Sequence, residues 1–493
     1  MNRFLSRLGD RINPIVVKES RQAVNSRIVA AFLLLFLTVE MVVMLLLISE
    51  REVSSEINMH AGREIFSVVQ GVLLGTCMIL IPTMTGARLA GERSDVNVDL
   101  LFISSLSPRA VLFGKLAAAG ALALLIFSAA APFMTFAYVL RGLDLPTIFL
   151  VLLADYLAVL LSTSFLLFLA SIPATRGLRI LLGVGGIVAV VYMGGGLLAA
   201  TNSFLTEGGE FDRTSGDFWL GVAGLALLIL ATVGLFFVWS VALISPPAAN
   251  RAHTVRLYTA IVWLLECAAC AYLTDRISHP RPMMIWGLTG TIWFSLQMLI
   301  ATSERDGWGP RVARTIPRSA PRRALAFLFY SGAGGGLLFG ALGCLASIAG
   351  MVIAMRAYPS IDIVRDKPVE LTSLIAAYTY CYCLSGILVR RLLAKSHFRI
   401  GFTWLLSGIL FGLGSAIPFI LAFAIFDHHH RASDELWFYF TSPLVTVEES
   451  LNQESDLTMT ATFLCMWGGA VTVANLPWLM RQVLEFRRRE KGA

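Results

Sequence analysis

Residues 28–48 read "IVAAFLLLFLTVEMVVMLLLI", an unbroken apolar run whose single charged residue is Glu40. At about 1.5 Å of rise per residue, a helix of this length covers roughly 30 Å, the thickness of a bilayer's hydrocarbon core. Lipid offers no water to a peptide group, so a run of this kind must close its backbone hydrogen bonds within itself, as a helix. Eleven further runs of similar length follow, at 66–85, 116–140, 146–171, 178–201, 218–245, 257–275, 283–303, 327–355, 371–389, 400–426 and 457–480. None shows the strict alternation of a barrel strand. The chain has 493 residues, of which 57% are hydrophobic and only 14% charged. Together these features predict an all-α polytopic membrane protein with about 12 transmembrane helices.

The loops orient the spans. Roughly three quarters of the 39 Lys and Arg residues fall in segments on the same side as the N-terminus. Basic residues stay on the cytoplasmic side, so both termini are expected there. The net charge of +7 then needs no nucleic acid, because the anionic headgroups of membrane lipids attract these residues. The lead-in before the first span carries no cleavage site of small residues and does not read as a signal peptide. It repeats Phe4, Leu8, Ile12, Ile15 and Val16 at helical spacing, among Arg3, Arg7, Arg11 and Lys18. That pattern predicts a helix on the membrane surface, broken or kinked at Pro14. The longest outer loop, 427–456, holds His428 to His430, which read as a solvated stretch more than as a metal site because a second set of ligands is missing, and the aromatic run "LWFYF" at 436–440, which reads as an interfacial patch or a short helix on the outer leaflet.

The chain divides near "SPPAANR", residues 245–251, into halves of six spans each, 1–245 and 246–493. The loop after the second span carries a faint repeat. In the first half Glu92-Arg93 precedes Pro108-Arg109, and in the second Glu304-Arg305 precedes Pro321-Arg322, with Glu-to-Pro separations of 16 and 17 residues. Internal repeats of this kind are common in transporters.

The first of these loops, within 86–115, contains "GERSDVNVDLLFISSLSPRAVLFGK" at 91–115. Ser94 or Asp95 can cap a helix start. Val98, Leu101 and Phe102 share one helical face, and Asp95 and Asp99 lie near the positive end of the helix dipole. Ser107 and Pro108 then end that helix and open the next. Arg109 and Lys115 are expected to stay at the inner surface. The segment predicts a short amphipathic helix lying across the membrane, followed by a turn back into it.

In these residues the chain resembles the type-2 ABC export permease family. The matching elements are "ER" at 92–93, "DLL" at 99–101, "LS" at 106–107 and "GK" at 114–115. The lead "NPIVVKESRQAVNSR" at 13–27 is similar to that family's membrane-surface helix. The resemblance implies that the loop is a coupling helix docking on a cytosolic ABC ATPase subunit. Its contact residues would be Glu92, Arg93, Asp99, Leu101, Phe102, Leu106, Ser107 and Lys115. The chain departs from the family's pattern at Val96-Asn97 and at Ser104-Ser105. The second half matches poorly. It reads as a diverged repeat or as a different six-span unit, and Glu304, Arg305, Pro321 and Arg322 are its candidate second contact. The resemblance further implies export across the inner membrane of a bacterium, ATP and Mg²⁺ held by the partner, and room for a second permease chain. The chain shows no P-loop, since "RAVLFGKL" at 109–116 lacks the first Gly and the final Ser or Thr. No catalytic, cofactor or metal constellation is expected in this chain.

Three carboxylates lie within spans: Glu40, Asp155 and Glu266. Each costs about 2.5–3.5 kcal/mol if ionised and unpaired at mid-depth. They form a candidate polar site for a cationic substrate or coupling ion, or else hydrogen-bond to Ser, Thr and Tyr of neighbouring helices. These acids and the six-plus-six organisation also fit a twelve-span secondary transporter. An integral membrane enzyme or assembly protein is the third reading, with His60, His279 and His428 to His430 as its outer candidates.

Overall fold

The computed structural model describes residues 14–53, 61–92, 107–140, 143–207, 215–246, 249–359, 367–393, 400–425, 438–451 and 458–487. Among these residues the regular structure is helical, without a strand. Twelve helices are long and apolar enough to cross a membrane, one for each predicted run. Contacts divide the chain into two compact units, Met1–Pro246 and Pro247–Ala493.

The first unit begins with α1 (Pro14–Val24). The described helix starts at Pro14, where a missing N–H costs nothing because the first helical N–H has no partner within the helix. The expected apolar positions before Pro14 lie outside the described residues. Six spanning helices follow: α2 (Arg27–Val53), α3 (Ala61–Glu92), α4 (Pro108–Val139), α5 (Leu145–Ser171), α6 (Arg176–Glu207) and α7 (Gly216–Ile244). Central α3 packs on α2, α4, α5 and α6. Its Ile65, Val69, Leu73, Cys77 and Ile81 recur every four residues and are fully buried. Peripheral α2 instead turns Leu34, Leu35, Leu45 and Leu46 outward. A surface so apolar suits hydrocarbon, where outward leucines are solvated by lipid tails. Surface helix α1 packs closely on α4. A Cβ at Gly114 would stand only 2.6 Å from Ile15 Cγ2, so the missing side chain is what lets the two helices close.

The second unit holds the spanning helices α8 (Arg251–Ile277), α9 (Arg281–Ala301), α12 (Ala333–Ala357), α13 (Pro368–Leu392), α14 (Thr403–Ile425) and α16 (Thr458–Glu485). Shorter α10 (Pro310–Ala313) and α11 (Ala320–Phe329) lie between α9 and α12, and α15 (Pro443–Leu451) precedes α16. The tightest pairing joins α9 to α12, with Phe294 and Met298 set against Leu337 and Cys344.

Two sequence expectations need correction here. The run 327–355 is not one helix: it breaks between Phe329 and Ala333 into α11 and α12, because buried side chains capture the backbone groups at the break. The aromatic run at 436–440 is not a patch spread on the leaflet, as far as it is described. Tyr439 is buried, and Phe440 stacks on Phe463 with ring centroids 5.4 Å apart. The Tyr378 hydroxyl donates to the Phe440 carbonyl at 2.8 Å, and Tyr382 donates to that of Thr441 at 2.5 Å. These bonds draw the segment onto α13. Helices α4, α14 and α16 run on through Pro132, Pro418 and Pro477.

Candidate functional site

In the first unit, charges from three helices meet at the two ends of the loop after α3. Lys115 Nζ lies 2.8 Å from Glu19 Oε1 of α1 and 2.9 Å from Glu92 Oε1 at the end of α3. Arg88 reaches Glu19 Oε2 at 3.7 Å. The side chains of Lys115 and Glu19 are only 2% and 7% exposed. Burying such charges is costly unless each is paired, and here two carboxylates face two cations. Lys115 is therefore not a surface anchor, as its place near the span start suggested. It is an internal tie between α1, α3 and α4. Ser107 Oγ accepts from the Ala110 N–H at 3.2 Å, the cap read from the sequence, with Pro108 opening α4. Both flanks of the loop are thus held. Arg93, Asp99, Leu101, Phe102 and Leu106, with the Val98 face, lie outside the described residues.

The second unit builds its corresponding loop around two buried arginines. Arg256 Nη2 of α8 donates to both oxygens of Glu304, at 2.7 and 2.6 Å. Its Nη1 donates to the carbonyls of Leu328 and Tyr330, at 3.0 and 2.6 Å. The Gly332 N–H donates to Glu304 Oε2 at 2.5 Å. These bonds satisfy the end of α11 and the start of α12, which is why the chain breaks there. Burial pushes the Glu304 carboxyl above the ordinary carboxylate range, and Arg256 with the Gly332 N–H pulls against that shift. Arg390 of α13 holds Asp306 at 3.1 and 2.9 Å. Gln482 of α16 donates to Asp306 at 2.8 Å and accepts from the Gly334 N–H at 2.9 Å. Here too a glycine is required. A Cβ at Gly336 would stand 2.4 Å from Ala301 Cβ and 2.5 Å from Arg256 Nη2. Of the candidate second contact, Glu304 is taken up by Arg256, while Arg305, Pro321 and Arg322 are exposed.

Each intramembrane carboxylate has its own setting among the described residues. Asp155 is fully buried and accepts from Gln70 Nε2 at 3.1 Å on both oxygens. Glu40 is also fully buried, yet neither of its oxygens has a hydrogen-bond partner among the described residues. Glu266, in the other unit, has one such oxygen. Among the described residues, Gln70 takes the place of the expected Ser, Thr and Tyr partners at Asp155, and none of them bonds to Glu40. Among the described residues no group of three or more His, Cys, Asp or Glu is placed to hold a metal.

Sequence reasoning missed Glu19, Gln70, Arg256, Asp306, Arg390 and Gln482. Arg256 and Arg390 each sat one residue beyond a predicted span edge. A lone charge so close to hydrocarbon is a signal that it has an internal partner.

Fold and charge clusters together define a polytopic helical membrane protein of two six-span units. Comparison with family models, with curated proteins and with solved structures finds no match to this chain.

Proposed function

We propose that the chain is the membrane-spanning permease subunit of an ATP-driven ABC exporter. It would carry its substrate across the cytoplasmic membrane of a bacterium by alternating access, with both termini inside. ATP and Mg²⁺ would be bound by a separate cytosolic ATPase subunit, and this chain would perform no covalent chemistry. Twelve spanning helices suit a transporter, and the residues of the loop after the second span carry the resemblance to this class.

The observation that supports the reading most is the buried tie at Lys115. The loop that resembles a coupling helix leaves α3 at Glu92 and enters α4 at Ser107. Lys115 binds Glu92 and the surface helix residue Glu19 at once. A displacement of the loop would then move α1, α3 and α4 as one body, since packed elements shift as rigid pieces. In this mechanism the ATPase closes, the loop follows, and the spans change the side on which the substrate path opens. In this reading the charges at Lys115 position the loop.

The test is recovery of the partner. A tagged chain, crosslinked in its native membrane, is expected to retain an ABC ATPase. Glu92→Lys combined with Leu101→Asp is expected to abolish that association while leaving membrane insertion intact. Failure to recover an ATPase from the parent chain would sink the reading. Undiminished recovery with the double variant would show that this loop is not the contact.

A further inference from the structure

We infer that the segment between α9 and α12 in the second unit is a docking surface for anionic phospholipid headgroups. Between these helices the chain carries Arg305, Arg311, Arg314, Arg318, Arg322 and Arg323, against only two acids, Glu304 and Asp306. Both acids turn inward, onto Arg256 and Arg390. The segment's own negative charge is therefore spent inside the unit, and its outer face is left positive. Arg305, Arg311, Arg314 and Arg322 are exposed. Arg305 also lies within electrostatic reach of Arg251 at the start of α8.

The surface is also rigid. Ala313, Ile316, Phe327 and Phe486 form a buried cluster beneath it, covered by Trp308 and Tyr330. The Trp308 and Phe486 rings meet at 4.8 Å, and the Tyr330 hydroxyl donates to the Thr315 carbonyl at 2.9 Å. A held backbone presents its guanidinium groups with less ordering cost on binding. Guanidinium groups pair with phosphate oxygens in bidentate fashion.

Two features favour a lipid over an acidic protein face. Helix α11 ends just before the spanning helix α12, which places it at the edge of the hydrocarbon. Leu325 on α11 is 62% exposed, three residues from Arg322. An outward leucine beside arginines is the pattern of a helix seated among headgroups, with its apolar side chain dipping toward the acyl region.

The test uses the purified full-length chain in an uncharged detergent, titrated with phosphatidylglycerol or phosphatidylcholine and read by native mass spectrometry. The variant Arg311→Gln/Arg314→Gln/Arg322→Gln is expected to weaken the tightest phosphatidylglycerol binding roughly 100-fold. Phosphatidylcholine binding should not change. The matching triple Arg-to-Lys variant keeps the charge and should lose only a few-fold. Because all three side chains are exposed, the fold does not depend on them. Gln-variant binding as tight as the parent's overturns the proposal. So does phosphatidylcholine binding to the parent as tight as phosphatidylglycerol binding, because charge is then not what binds. Retained phosphatidylglycerol together with lost crosslinking to a protein partner would mark the surface as a protein interface and would equally overturn it.

Discussion

In the first unit the charges at the end of the second span converge on one lysine. In the second, the acids after the second span are divided between two arginines. Lys115 comes from the third span of its own unit and pulls in a surface helix through Glu19. Arg256 and Arg390 come from the first and fourth spans of theirs, and they bind Glu304 and Asp306 of the loop itself. The consequence is structural. The described flanks of the first loop are held by Lys115, and the second loop is built into its unit, with Trp308, Ile316 and Phe327 packed beneath it. An equal place in the topology and a shared Glu-Arg pair therefore do not give the two glutamates the same kind of partner.

Three substitutions probe this contrast. The largest effect is expected from Arg256→Gln, which strands the Glu304 carboxylate in a buried setting and frees the end of α11. Removing one partner of a buried pair costs about 3–5 kcal/mol, read as a lowered unfolding temperature of the detergent-solubilised chain. A loss below about 1 kcal/mol would place this pair with ordinary surface bridges and erase the distinction between the two loops. Lys115→Met should come next, at about 3 kcal/mol, since Arg88 remains near Glu19. Its signature is local. Limited trypsin digestion should cut faster at Lys18 and Arg21 once α1 loses its tie, while cleavage at Arg311 and Arg314 stays unchanged. Equal acceleration at both places would mean that the first cluster does not act on α1 in particular. The smallest effect is expected from Glu92→Gln, because that carboxylate is 42% exposed. An exposed pair contributes about 0.2–1 kcal/mol, and a thermal shift well beyond that would place Glu92, not Glu19, at the centre of the cluster.

Much of the architecture was legible because its cause is local or is set by the bilayer. Hydrocarbon thickness imposes a length on each apolar run, so all twelve spans could be read one by one. Ser107 and Pro108 could be read as a helix start because the cap acts on Ala110, three residues away. The break at 330–332 could not be read that way. It depends on Arg256, 74 positions before Tyr330, and on Glu304, 28 before Gly332. No window of sequence contains those pairs. The inward turn of Lys115 was hidden for the same reason, since its partner Glu19 is 96 positions away. Lys115 followed the usual rule for a basic residue at a span end and broke it only when α1 folded back over Gly114.

The sequence by itself determined that this chain crosses a membrane twelve times as helices. A peptide group in lipid has no other partner than its own chain, and runs of about 20 apolar residues are long enough to span the bilayer. It also held the Glu-Arg recurrence after the second span of each half. Only the tertiary structure decided what those charges do. A buried ion pair forms where distant helices bring opposite charges together at the edge of the hydrocarbon, and there the low dielectric makes pairing compulsory. That geometry joined Lys115 to Glu92 and Glu19, turned Glu304 and Asp306 inward, and left most arginines of the second loop exposed.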